Sequence, residues 1–243
     1  MAYQKQQLIS EGKTKRIWAT TSDRHVIAEF YDDPTMYHAK KKQYFDGKGI
    51  LCNKINALLM NLLEQNGVNT HFVELYSDNS TVIRKANMIP VEVVVRNYSA
   101  GSMCRRLGIP ERTKLKSPVL EFCYKNDQLD DPVINEYHAY AMQLCTQEEM
   151  NVMCYQATRI NKLLCDVMDQ IGFVVADFKL EFGRIRNWVV VADEITPNVA
   201  RFWDKDTLKR VDNDGQNPEL EYQIILEKLE KLINQQGYST KIK

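Results

Sequence analysis

Three charged residues alternate with three apolar ones in Asp177-Phe178-Lys179-Leu180-Glu181-Phe182, and the apolar run that follows ends in Asp193-Glu194. A period of two puts Asp177, Lys179 and Glu181 on one face of a strand and the apolar residues on the other. Minus, plus, minus on one face has two readings. One is a solvated face whose charges pair across strands, a common and weakly stabilising arrangement. The other is a divalent metal held by Glu181 and a carboxylate of the returning strand, with Lys179 facing a phosphate. Oxygen ligands of that kind suit Mg²⁺, which keeps several waters and also takes phosphate oxygens. Gly183-Arg184-Ile185-Arg186-Asn187 supplies turn chemistry for a hairpin. Register then chooses the second carboxylate. If paired residue numbers sum to an even number, Asp193 shares the face of Glu181; if odd, Glu194 does.

Two further stretches carry chemistry. Glu92-Val93-Val94-Val95-Arg96-Asn97 delivers an arginine to the end of a strand, and Ala100-Gly101-Ser102 then opens a short helix closed by Gly108. A Gly-Ser helix start exposes amides and a hydroxyl, and Arg96 adds a fork for phosphate or carboxylate. The plainer reading makes Ser102 only an N-cap and Arg96 only a surface pair. Near the N-terminus, Glu11-Gly12-Lys13-Thr14-Lys15-Arg16 reads as a basic turn between two strands. It lacks the spacing of a P-loop and suits a hairpin covering phosphates, or an exposed hairpin with solvated lysines.

These residues need a scaffold of short strands and three long helices. Strands are expected at 7–10, 17–20, 25–30, 71–75, 81–85, 91–97, 118–124, 173–182 and 188–192. Ile50 to Asn66 reads as an amphipathic helix with Leu51, Ile55, Leu58, Leu59, Leu62 and Leu63 on one stripe, stopped by Gly67. Thr146-Gln147-Glu148-Glu149 is a capping box opening a helix to Ile171, and Pro218 opens a last one. Asn87-Met88-Ile89-Pro90 reads as a linker whose backbone could meet an adenine edge. Lys40-Lys41-Lys42 and Asp46-Gly47-Lys48-Gly49 read as a solvated basic connection.

The 243 residues carry 32 basic and 32 acidic side chains, so no global field points to nucleic acid or a membrane. No apolar run is long enough to span a bilayer, and no leader segment is recognisable. The six cysteines form no C-x-x-C and read as buried free thiols of a reducing, cytoplasmic environment.

The motifs taken together resemble the SAICAR synthetase family of purine synthesis. The matching segments are Glu11-Gly12-Lys13-Thr14-Lys15, Asp46-Gly47-Lys48-Gly49, Pro90 to Asn97, Ala100-Gly101-Ser102, Tyr124-Lys125-Asn126-Asp127, Asp177 to Gly183, Ala192-Asp193-Glu194 and Arg201-Phe202-Trp203-Asp204. They stand in the family's order, spaced as in its short bacterial-type members. The resemblance implies an ATP-dependent ligase that joins the carboxylate of carboxyaminoimidazole ribonucleotide (CAIR) to the amine of L-aspartate. It implies a two-lobed α+β fold of antiparallel sheets with flanking helices, related to ATP-grasp and kinase-like nucleotide sites. The lobes would be residues 1–87 and 88–243, with ATP between them, and the protein a homodimer.

By the same resemblance Lys13, Lys15, Lys85 and Met88 fall on ATP, while Lys125 either touches ATP or shapes its loop. Arg96, Ser102 and Arg201 fall on the ribonucleotide's phosphate and carboxylate, Asp177 and Lys179 between the substrates. Glu181 and Asp193 fall on Mg²⁺, which requires the even register. One departure stands out: the family's Ser-Pro-Asp is Thr196-Pro197-Asn198 here. Two rival functions are a kinase, which lacks its H-R-D loop and glycine-rich loop here, and a nucleotide- or RNA-binding module using Lys40 to Lys48, against which the neutral charge argues.

Overall fold

The computed structural model describes residues 3–32, 45–210 and 218–236. The Lys40-Lys41-Lys42 run lies outside them. The fold is α+β, with two antiparallel sheets belonging to two compact units. The first unit holds the described residues up to Lys85, the segment Ile195–Asn198 and the described residues from Lys209 onward; the second holds Ala86–Glu194 and Val199–Leu208. The expected division after residue 87 falls two residues later than this one. The two late returns to the first unit have no local signature, because they are set by packing.

In the first unit, β1 (Lys5–Glu11), β2 (Lys15–Thr20), β3 (His25–Phe30), β4 (Phe72–Ser77) and β5 (Ser80–Arg84) form a sheet of order β1-β2-β3-β5-β4. Helix α1 (Lys48–Gln65) packs on β3, β4 and β5, and the C-terminal helix α5 (Pro218–Gln236) packs on α1. Because α1 is covered by the sheet and by α5, it is buried well beyond one stripe, its asparagines included. Two of them are tied to neighbouring segments. Asn53 donates to the carbonyls of Ser77, Asp78 and Ser80 and accepts from Thr81, and Asn56 accepts the Ile195 amide at 2.9 Å. The Asp46-Gly47-Lys48-Gly49 turn is no solvated connection. The Asp32 carboxylate accepts from the amides of Gly47 (3.0 Å) and Gly49 (2.7 Å), and Lys48 is buried. A Cβ on Gly49 would stand 2.7 Å from the Phe30 carbonyl oxygen.

In the second unit, β6 (Asn87–Tyr98), β7 (Lys114–Tyr124), β8 (Val133–Ile134), β9 (Phe173–Ile185) and β10 (Trp188–Ala192) follow the order β10-β9-β6-β7-β8, with β11 (Ala200–Asp204) also paired to β9. The expected linker Asn87–Pro90 is the first part of β6, not a linker, because Asn87 and Met88 already pair with Arg184 and Gly183 of β9. Three short helical segments stand outside the sheet: α2 (Ser102–Leu107), a 3₁₀ turn at Asp127–Leu129 and α3 (Glu136–Ala141). Helix α4 (Gln147–Gln170) begins at the expected capping box: Thr146 accepts from the Glu149 amide and Glu149 from the Thr146 amide. Its buried Met153, Ile160 and Leu164 cover β9 and β6. Asn97 and Asn161 exchange side-chain hydrogen bonds at 2.8 and 2.9 Å, tying α4 to β6. All six cysteines are free, but only Cys52 and Cys145 are buried; the other four are half-buried. No helix among the described residues is long and apolar enough to cross a membrane.

Candidate active site

Strand β9 is hydrogen-bonded on both edges, to β6 on one side and to β10 and β11 on the other. Residues paired across a sheet project to the same face. Glu92 pairs with Glu181, Val94 with Lys179, Arg96 and Arg201 with Asp177, and Glu121 of β7 with Val94. One face therefore gathers Glu92, Arg96, Glu121, Asp177, Lys179, Glu181 and Arg201, while Phe178, Leu180 and Phe182 point into the core. The alternation expected for β9 holds. The face is not solvated, however: Asp177 is 1% exposed and Glu181 4%. Charges so placed must be paired.

They are paired in two clusters. In the first, the Lys179 ammonium lies 2.6 Å from Glu92 Oε1 and 2.9 Å from Glu181 Oε1. Lys125, just past the end of β7, also donates to Glu181, and its Nζ is 3.4 Å from Glu92 Oε1. Burial works against the Lys179 ammonium, but the charges of Glu181, Asp193 and Glu92 outweigh it and hold its pKa above the ordinary value. Lys125 is shifted the same way, burial again opposing and Glu181 dominating. The Glu181 carboxyl is itself pushed up, by burial first and then by the charge of Asp193. Three carboxylates, Glu181, Asp193 and Glu92, thus act on the Lys179 ammonium.

The β9–β10 register corrects an expectation. Glu181 pairs with Ala192, so paired numbers sum to an odd value. Asp193 would point away from Glu181 if the strand continued. It does not continue: Asp193 leaves the ladder with φ 61° and acts on Glu181 and Lys179 from the loop. Parity fails as a guide because the strand ends one residue before the carboxylate.

In the second cluster, Arg96 Nη1 and Arg201 Nη1 both bind the Asp177 carboxylate, at 2.6 Å and at 2.5–2.7 Å. Arg96 Nε donates to Glu121 at 2.5 Å, and Nη2 to the Ser102 hydroxyl at 3.2 Å. Gly101 (φ 55°) has Arg201 against it; a Cβ there would stand 2.7 Å from Arg201 Nη2. The small residues before α2 therefore make room for a guanidinium as well as starting a helix.

Lys179, Glu181, Asp193 and Lys125 are thus brought together, as are Arg96, Ser102, Asp177 and Arg201. Met88, also in the second unit, lies on β6 opposite Gly183, 38% exposed. In the first unit, Lys13 is exposed in the β1–β2 turn, and Lys15 opens β2 with its ammonium 5.2 Å from the Phe30 ring centroid. Lys85 is exposed after β5, its amide donating to the Arg24 carbonyl. Asn198, the departure from the family pattern, is buried in the first unit. It accepts from the Tyr222 hydroxyl at 2.9 Å, and its Nδ2 lies 3.3 Å from Cys52 Sγ. Sequence reasoning missed Glu92 and Glu121. For Glu92 a signal was there, a lone carboxylate in an apolar run at even spacing from Arg96; Glu121 joins the face only through the register that pairs it with Val94.

The SAICAR synthetase family model matches residues 8–242. The phosphoribosylaminoimidazole-succinocarboxamide synthase of Coprothermobacter proteolyticus is 47% identical over 212 residues, 87% of this chain and 90% of that one. The crystal structure of the synthase of that name from Ehrlichia chaffeensis matches with TM-score 0.83 at 36% identity, covering 96% of this chain and 99% of that one. A SAICAR synthetase solved in complex with ADP matches with TM-score 0.85 at 38% identity, over 92% of this chain and 97% of that one. With sequence and fold matched over nearly its whole length, this chain belongs to the SAICAR synthetase family.

Proposed function

We propose that the chain joins the carboxylate of CAIR to the amine of L-aspartate at the expense of ATP, giving SAICAR, ADP and phosphate. The observation that carries this, within the family, is the buried polar face of β9. There an ammonium–carboxylate cluster adjoins an arginine–aspartate cluster on one strand. A carboxylate is a poor acyl donor. In the reading proposed, a CAIR carboxylate oxygen attacks the γ-phosphorus and ADP leaves. The aspartate amine then attacks the acyl phosphate carbon, loses a proton and expels phosphate. Such transfer needs alignment and charge neutralisation more than covalent help from the protein. Lys179, held between Glu92 and Glu181, supplies a fixed positive charge at the transferring group. Arg96, Ser102 and Arg201 orient the ribonucleotide, and Asp177 fixes both arginines. Lys13, Lys15 and Lys85 are assigned to ATP phosphates and Met88 to the adenine.

The donor set fits Mg²⁺. Among the described residues no three His, Cys, Asp or Glu side chains are gathered to hold a metal. The first cluster nevertheless sets Asp193 close enough to Glu181 for its charge to add to burial in raising that carboxyl. One or two carboxylates completed by phosphate oxygens is how Mg²⁺ is commonly held. Glu181 and Asp193 would hold it, and when bound it would neutralise charge on the phosphates. Lys125, resting on Glu181 and Glu92, is placed to balance that site. The six free cysteines suit a reducing cytoplasm, and a homodimer is part of the proposal, to be checked by light scattering.

The test is ADP release with Mg-ATP, CAIR and L-aspartate, omitting each in turn. Release that needs all three, with a succinyl-amide product, is the expected result. Release with ATP and CAIR alone would also fit, as an acyl phosphate lost to water. Release independent of CAIR would overturn the proposal.

A further inference from the structure

Arg96 has five N–H donors, and the protein takes four of them. Nε goes to Glu121, Nη1 to Asp177 and, at 3.3 Å, to the Ala100 carbonyl, and Nη2 to Ser102. With its side chain 6% exposed, it has one N–H left. A bidentate grip on a phosphate needs two. Arg106 is placed differently. It is four residues after Ser102 on α2, hence on the same helical face. One nitrogen, Nη2, donates to Glu121, the carboxylate that also fixes Arg96. Among the described residues Arg106 has no other partner, and its side chain is 36% exposed. Burial would raise the Glu121 carboxyl, but hydrogen bonds from Arg106 and Arg96 outweigh it and hold it low, so the anchor stays charged. Glu121 takes only one Arg106 nitrogen, so the partly exposed guanidinium keeps N–H donors for a second anion.

We infer that Arg106 is a further anion-binding residue of the ribonucleotide site, held by Glu121 as a positioning residue. The inference rests on the proposed reading of Arg96, Ser102 and Arg201 as that site. Arg106 gives the 5′-phosphate a planar fork that Arg96 cannot offer, and Glu121 keeps the fork from swinging away.

Steady-state kinetics with CAIR and with its dephosphorylated riboside test this in wild type, Arg106→Gln, Arg106→Lys and Glu121→Gln. In Arg106→Gln, KM for CAIR is expected to rise on the order of 10- to 100-fold, the worth of a charge-assisted hydrogen bond or two. The KM for ATP should stay put, and the preference for CAIR over the riboside should fall by the same factor. Arg106→Lys should recover part of the loss, since charge returns without the fork. Glu121→Gln should raise KM in the same direction, since Glu121 holds both Arg106 and Arg96, and added to Arg106→Gln it should cost less than the sum of the two single changes. A wild type that prefers CAIR, with Arg106→Gln keeping that preference, overturns the inference alone. A wild type without the preference overturns the site reading, and the inference with it.

Discussion

Lys179 sits where a single side chain has most to do. It is one of two cations neutralising Glu92 and Glu181, and it stays charged because their fields outweigh its burial. Lys179→Ala should cut turnover on the order of 10²–10³, the usual result of removing one preorganised charge stabiliser. The thermal midpoint should fall as well, because Lys125 alone is left to pair both carboxylates. Unchanged turnover would take Lys179 out of the mechanism. A second residue-scale expectation concerns acid. The Arg184 hydrogen bond, ahead of burial, which opposes it, holds the Glu149 carboxyl below its ordinary value. A depressed carboxyl contributes stability above its unfolded pKa, about 4.3, and loses it as pH falls through the lower folded value. Denaturant midpoints measured from pH 6 down to 3 should therefore drop less steeply in Glu149→Gln than in wild type. Equal slopes would mean the pair adds nothing in water.

Elements were legible where the cause was local. The box at Thr146 and Glu149 named the start of α4 to the residue, and alternation named the two faces of β9. What stayed hidden depended on partners. Asn87–Pro90 looks like a linker by composition, yet β9 supplies hydrogen bonds that make it strand. The Asp46–Gly49 turn looks solvated, yet Asp32 reaches it and Gly49 lies against β3. The site shows the same split. The Asp177, Lys179 and Glu181 face is written in β9, whereas Glu92 and Glu121 acquire roles only once register sets them beside lysine and arginine. Gly49→Ala tests the hidden kind. Its backbone φ is not positive, so the conflict is a Cβ 2.7 Å from the Phe30 carbonyl oxygen, a backbone atom that cannot swing aside. Overpacking of this sort costs about 1–3 kcal/mol. Urea unfolding should show a loss in that range; a variant as stable as wild type would mean that β3 and α1 part easily.

At the scale of the whole molecule, the order of the chain and the order of the cores differ. Helix α5 comes last, after the second unit is complete, yet Tyr222, Ile225, Leu226, Leu229 and Ile233 are all buried in the first unit, over α1. At about 1.5–3 kcal/mol for each large apolar side chain, their burial contributes on the order of 10 kcal/mol. That matches the whole net stability of an ordinary domain, about 5–15 kcal/mol. Ending the chain at residue 217 should therefore unfold the first unit rather than loosen it. The second unit has its own core, with Phe178, Leu180 and Phe182 of β9 under α4. Hydrogen exchange on the truncated chain should show protection lost through β2, β3, β5 and α1 and kept in β6, β9 and α4. Protection lost everywhere would mean that the two units fold only together. Protection kept in α1 would mean that the sheet alone is enough to hold it.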